Sequence, residues 1–133
     1  YRGYIESVDE RTALFRGADI FIFPTLRDVF GLVLLHAMAE GVPIVASCEG
    51  TIPEIVRDGI DGCLVAKGDA GALAAKLRSL VTDKALLRRM GEANRRRFEE
   101  TYALSRYGQT MIEVFHGIGL SSSNSSPCEV RRG

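Results

Sequence analysis

The chain alternates short apolar runs with stretches of helical period. Ile20-Phe21-Ile22-Phe23 and Ile44-Val45-Ala46 are apolar at every position, the pattern of strands buried on both faces of a parallel sheet. Cys63-Leu64-Val65 is a third, weaker run. Helical spacing precedes each of them: Glu10 to Arg16 before the first, Gly31 to Glu40 before the second, Ile52 to Arg57 before the third. Strands alternating with helices across short turns predict an α/β layer fold with a parallel sheet. After Gly68 the pattern is helical throughout. Asp69 is placed to cap a helix over Ala70 to Val81, Thr82 or Asp83 one reaching about Phe98, and Ser105 one reaching about His116. Leu73, Leu77 and Leu80 share one helical face, and Leu86, Met90, Ala93 and Arg97 share another, so these helices are predicted to cover the sheet.

From Gly117 onward the character changes. Ser121-Ser122-Ser123-Asn124-Ser125-Ser126-Pro127 is too polar and too simple to build a core. One domain over residues 1–117 and a disordered serine-rich tail over residues 118–133 are therefore expected. With 133 residues, 46% hydrophobic and 26% charged, the chain can bury a core without staples. Lys+Arg and Asp+Glu both number 17, giving a net charge of zero, which argues against a general nucleic-acid binder. The most apolar region, Val29 to Ala46, is interrupted by His36, Glu40 and Pro43, so no membrane span is predicted. Cys48, Cys63 and Cys128 are odd in number and form no metal-ligand spacing, which favours a reducing, cytoplasmic setting. The start, Tyr1-Arg2-Gly3-Tyr4, carries neither an initiator Met nor a leader pattern. It reads as a chain cut from a longer one.

Chemistry concentrates between Pro24 and Pro43. A buried strand ends at Pro24, a polar loop carries Asp28, and a helix opens near Gly31 with Gly41 as its stop. Ligands of open parallel sheets bind beyond the carboxyl ends of the strands, where an opening helix offers amides and a positive dipole end to a phosphate. Gly31 lets an anion approach the backbone, and Asp28 can accept hydrogen bonds from the hydroxyls of a bound polyol. The alternative is structural, with Asp28 a cap and Gly31 a turn residue. The loop Ser47-Cys48-Glu49-Gly50-Thr51-Ile52-Pro53-Glu54 repeats the arrangement. The amides of Gly50 and Thr51 are candidates for a second phosphate oxygen, while helix capping explains Glu54 as well.

The run F-G-L-V-L-L-x-A-M-A-E-G-V-P-I-V-A-S, then G-T-I-P-E-I-V-R-D-G-I-D-G-C-L-V, then D-x-x-x-L-A-x-x-L-x-x-L, and then L-x-R-M-G-E-A-N-R-R-R-F resembles the carboxyl-terminal half of family 4 glycosyltransferases. The resemblance extends from Tyr1 to about Gly117. It implies part of a Rossmann-like GT-B donor-binding domain, transfer of a sugar from a nucleotide-diphospho-sugar with retention, and no metal or other cofactor beyond that donor substrate. It also implies a partner, the amino-terminal GT-B domain, which has no counterpart here, and allows a peripheral contact at the cytoplasmic membrane face. The family signature is two glutamates separated by seven residues and bracketing F-G; those positions hold Asp28 and His36. By resemblance, Asp28 faces the donor sugar, the backbone of Phe30, Gly31 and Leu32 meets sugar and diphosphate, and His36 stands where a carboxylate holds the ribose. No residue is assigned as the catalytic group.

Aspartate for glutamate keeps the charge and loses one methylene. Histidine for glutamate is the larger departure, because a neutral imidazole has one acceptor where a carboxylate serves two ribose hydroxyls. With charge-assisted bonds worth ~1.5–3 kcal/mol, that change costs on the order of ten- to a hundredfold in nucleotide affinity. The rival reading is a non-catalytic remnant or interaction module that keeps the fold. Elsewhere, His116 is expected to be packed or helix-terminal. The arginines at 88, 89, 95, 96 and 97 form a basic stretch open to anionic lipid or a partner domain, with a solvated face as the default. Asp58-Gly59 and Asp61-Gly62 read as turns.

Overall fold

The computed structural model describes residues 5, 7–28, 31–106 and 109. Helix α1 (Val8–Arg16) leads into strand β1 (Phe21–Phe23), α2 (Leu32–Ala39) into β2 (Ile44–Ser47), and the short α3 (Ile52–Ile55) into β3 (Gly62–Val65). Two long helices follow, α4 (Ala70–Thr82) and α5 (Lys84–Arg97), and α5 runs into a π-helical turn, Phe98–Tyr102. The strands form one parallel sheet in the order β1-β2-β3. Phe21, Ile22 and Phe23 register with Ile44, Val45 and Ala46, and Ile44 to Ser47 register with Gly62 to Val65. The architecture is α/β, as expected.

Helix boundaries follow local chemistry. Ser7 Oγ accepts from the Glu10 amide at 3.3 Å to start α1, Asp69 Oδ1 accepts from Ala72 at 2.8 Å to start α4, and Asp83 Oδ1 accepts from Leu86 at 2.9 Å to start α5. Each satisfies a first-turn amide that has no intrahelical acceptor. Of the two caps expected for α5, Asp83 is the one used. The helix expected from Ser105 to about His116 and the tail over residues 118–133 lie almost wholly outside the described residues.

Central strand β2 divides the core in two. Ile44 and Ala46 point to the face covered by α2, where Leu34, Ala37, Met38, Ile52, Ile55 and Val56 are fully or almost fully buried. Val45 points to the other face, against Cys63, Leu80 and Met90, with Leu73, Leu77 and Leu86 packed alongside. This is the two-sided burial expected of a parallel strand. β1 departs from it: Phe21 and Phe23 are only half-buried and Ile22 is 42% exposed. The reason is position, since β1 pairs with β2 alone among the described residues and forms an edge. Beside it Ile5, Leu14, Phe15, Phe21 and Val33 line an apolar surface cavity of about 430 Å³.

Two backbone contacts set the spacing of the layers. A Cβ on Gly91 of α5 would lie 2.3 Å from the Gly41 carbonyl oxygen, so α5 crosses the end of α2 main chain against main chain. Three residues on, Asn94, fully buried, donates its Nδ2 to the Val42 carbonyl at 2.7 Å. At the far side Asp61, in the turn before β3 as expected, is also fully buried. It accepts from Arg57 Nη2 at 2.6 Å and Nε at 2.7 Å, and lies 3.4 Å from Arg97 Nη1. Arg97 Nη2 also donates to the Glu54 carbonyl at 2.7 Å, tying α5 to α3. The hydrogen bond to Asp61 holds the Arg57 pKa above its ordinary value, against the opposing effect of burial.

Candidate functional site

The loops that leave β1 and β2 meet at the carboxyl end of the sheet. Gly31 is the N-cap of α2 in the left-handed region, with φ 62° and ψ 40°. Its amide donates to Asp28 Oδ1. A Cβ at Gly31 would sit 2.9 Å from Leu34 Cδ1, so both backbone conformation and space favour glycine here. Asp28 therefore closes the loop ahead of α2, while the helix itself has no side-chain cap, and that bond fixes where its carboxylate stands. Leu32, the first residue of α2, is 64% exposed while Gly31 itself is buried, so solvent reaches the opening of the helix at Leu32.

The second loop lies against the first. Gly50 also adopts a left-handed conformation, φ 53°, and a Cβ there would come within 2.7 Å of the Asp28 carbonyl oxygen. The missing side chain is what lets residues 28 and 50, which are 22 positions apart, share a wall. Thr51 caps α3, whose short first turn spends the Ile52 amide on the Glu49 carbonyl at 3.1 Å. Thus Asp28, Gly31, Leu32, Gly50 and Thr51 gather around one end of the sheet, while Phe30 lies outside the described residues. We expect Gly50→Ala to cost about 1–3 kcal/mol, from left-handed strain plus displacement of the Asp28 carbonyl. Urea unfolding measures that loss, and an altered Gly31 amide resonance in a ¹⁵N spectrum reports the shifted loop; an unchanged spectrum would mean that the two loops do not touch in solution.

His36 stands one helical turn beyond Leu32 on the exposed side of α2. Its ring stacks on Phe15 of α1, with centroids 6.2 Å apart and an interplanar angle of 13°. Two further groups stand at this end that the linear pattern does not single out. Lys67, in the turn after β3, pairs with Glu49 of the second loop at 3.0 Å and brings a cation beside Gly50. Ser47, closing β2, is 2% exposed and lines a small hollow of about 120 Å³ with Pro24, Val65 and Leu73. Their signal was positional, because residues that immediately follow strands of a parallel sheet share one rim. Among the described residues the thiols of Cys48 and Cys63 are unpaired: Cys48 is exposed, and burial pushes the Cys63 thiol above its usual pKa, leaving it a packing residue. No three His, Cys, Asp or Glu side chains come together as a metal-sized cluster among the described residues.

Residues 2–97 match the family model of glycosyl transferases group 1. The chain belongs to that family. It is 41% identical over 85 residues to a D-inositol 3-phosphate glycosyltransferase of Streptomyces avermitilis, covering 64% of this chain and 18% of that protein. Among solved structures it superposes on sucrose-phosphate synthase of Thermosynechococcus elongatus with a TM-score of 0.72 and 28% identity, over 82% of this chain and 27% of that one. HepE of Anabaena in complex with UDP-glucose shares the fold at a TM-score of 0.71 and 22% identity, over 78% of this chain and 29% of that one. This member of the family thus spans less than a third of the length of each of these proteins. Its parallel sheet and covering helices are those of a glycosyltransferase of GT-B architecture.

Proposed function

We propose that this chain is the carboxyl-terminal part of the donor-binding domain of a retaining, family 4 glycosyltransferase, and that it holds the diphosphate and sugar of a nucleotide-diphospho-sugar. The observation that carries this reading is the meeting of the Asp28–Gly31 turn and the Gly50 loop at the opening of α2. Amides at that opening face the anion that departs when the sugar leaves, and their dipoles are oriented before reaction, so stabilising the nucleoside diphosphate requires no reorganisation. Asp28 stands at the sugar, its position fixed by the Gly31 amide, and accepts from a hydroxyl. The acceptor hydroxyl attacks on the face from which the diphosphate departs, so the anomeric configuration is retained. The reading invokes no metal; the partner is the amino-terminal GT-B domain, and the setting is cytoplasmic, with room for peripheral membrane contact.

Donor titration separates the two duties of Asp28. In a full-length protein carrying this segment, Asp28→Ala should weaken binding of the preferred UDP-, GDP- or ADP-sugar by about ten- to a hundredfold, the worth of a charge-assisted hydrogen bond. Asp28→Asn keeps an oxygen for the Gly31 amide and should lose less. Full affinity in the Asn variant would reduce the residue to a loop cap, and full affinity in the Ala variant would reject its place in the donor site.

A second reading, a non-catalytic relative that keeps the fold, has one specific observation in its favour. His36, where the family pattern places the ribose carboxylate, stacks on Phe15.

A further inference from the structure

Helix α5 carries an asymmetry that the donor site does not use. At about 100° per residue, its buried positions, among them Met90, Ala93 and Asn94, fall on one side. Lys84, Arg88, Arg89, Arg95 and Arg96 are all exposed and fall within about 140° on the other, where Glu92 is the one acid of the helix. Arg97 does not belong to this group, because it turns inward to Asp61. Fourteen residues make α5 about 21 Å long, so five cations lie along that length in a chain whose net charge is zero.

We propose that this stripe is a docking surface for a bilayer rich in anionic lipid headgroups, with α5 lying flat on it. Charge complementarity carries the assignment: long, flexible cationic side chains on a convex helix match a diffuse planar layer of negative charge. A nucleic acid fits less well, since α5 has no aromatic residue to stack a base. Orientation agrees. The stripe borders a surface cavity of about 380 Å³, with Arg88 and Arg95 on one side and Asp19, Gly41 and Pro43 on the other. Asp19 and Pro43 lie ahead of β1 and β2, at the amino ends of the strands, whereas Asp28 and Gly50 follow their carboxyl ends. Docking there leaves the donor site open, and no described helix is long and apolar enough to cross the bilayer instead. Acids temper the stripe without cancelling it: Arg95 pairs with Glu99 at 3.2 Å, both well exposed, and Glu92 and Asp19 line the cavity. This inference stands apart from the donor-site reading.

Co-sedimentation of the 133-residue chain with vesicles tests it. We expect binding to phosphatidylcholine vesicles containing phosphatidylglycerol, little to phosphatidylcholine alone, and loss of binding in 1 M salt, where the screening length falls to ~3 Å. Replacing Arg88, Arg89, Arg95 and Arg96 together with Gln should lower the partition coefficient by up to about a thousandfold. The pair Lys76→Gln and Arg78→Gln on α4 should leave it within about twofold, which separates the stripe from charge in general. Equal binding to both vesicle types, no binding to either, an unaffected Gln variant, an equal loss in the α4 pair, or tighter binding to a DNA duplex at the same salt would each overturn the proposal. The comparison of vesicle types uses the unaltered chain, so it holds whatever the variants do to folding.

Discussion

Asp61→Ala lowers the unfolding free energy by about 3–5 kcal/mol, the cost of breaking a buried ion pair by removing one partner. Asp61 has no exposed surface, and the Arg97 side chain is only 17% exposed. Without the carboxylate, Arg97 keeps a largely buried guanidinium with the Glu54 carbonyl as its remaining acceptor among the described residues. Against a total of about 5–15 kcal/mol for a domain, the melting midpoint should drop by roughly 10–20 °C. Arg57→Ala should cost less, because that side chain is 44% exposed and Asp61 still has Arg97. Urea unfolding of both variants measures the order. If Asp61→Ala melted within a degree or two of the parent, the network would be decoration, and the tie from α5 to α3 would have to come from packing alone.

His36→Glu, in contrast, should change binding far more than stability. A carboxylate at this exposed position of α2 restores two acceptors for ribose hydroxyls, and affinity for the preferred nucleoside diphosphate should rise ten- to a hundredfold. Against that, the variant loses its ring contact with Phe15 and places a negative charge in the second half of an eight-residue helix, an effect of under about 1 kcal/mol. NMR titration of both forms with UDP, GDP and ADP gives the ratio of affinities, and the melting curves give the stability change. A gain for one base would mean that the rest of the nucleoside pocket is in place. An unchanged or weaker affinity for all three would mean that position 36 does not face a ribose, and would favour the non-catalytic reading.

Much of this molecule is visible in its linear pattern because the governing forces are local. Ile20 to Phe23, Ile44 to Ala46 and Cys63 to Val65 locate the three strands of the described residues within a residue or so, since three or four apolar residues in a row have few other places to go. Asp69 and Asp83 announce their helices because a short carboxylate before an apolar period satisfies amides within its own reach. What stayed hidden depends on residues far apart. Asp61 followed by Gly62 reads as a turn, and nothing near it points to Arg97, 36 positions away. The exposure of β1 depends on which strands flank it, information its own three residues lack. At the site, Asp28 and Gly31 were legible as a loop opening a helix, but their contact with Gly50 was not; the glycine was noted for its amide, whereas its larger contribution is the side chain it omits.

The crossing of Gly91 over Gly41 has an evolutionary consequence. Because two peptide backbones meet there, the distance between α5 and α2 is set by atoms common to every amino acid and is independent of the residues displayed outward. The outer surface of α5 is thereby decoupled from the geometry of the sheet. Descendants of this chain can gain, lose or reverse charge along that surface, and so change what they adhere to, without disturbing the rim where the strands end.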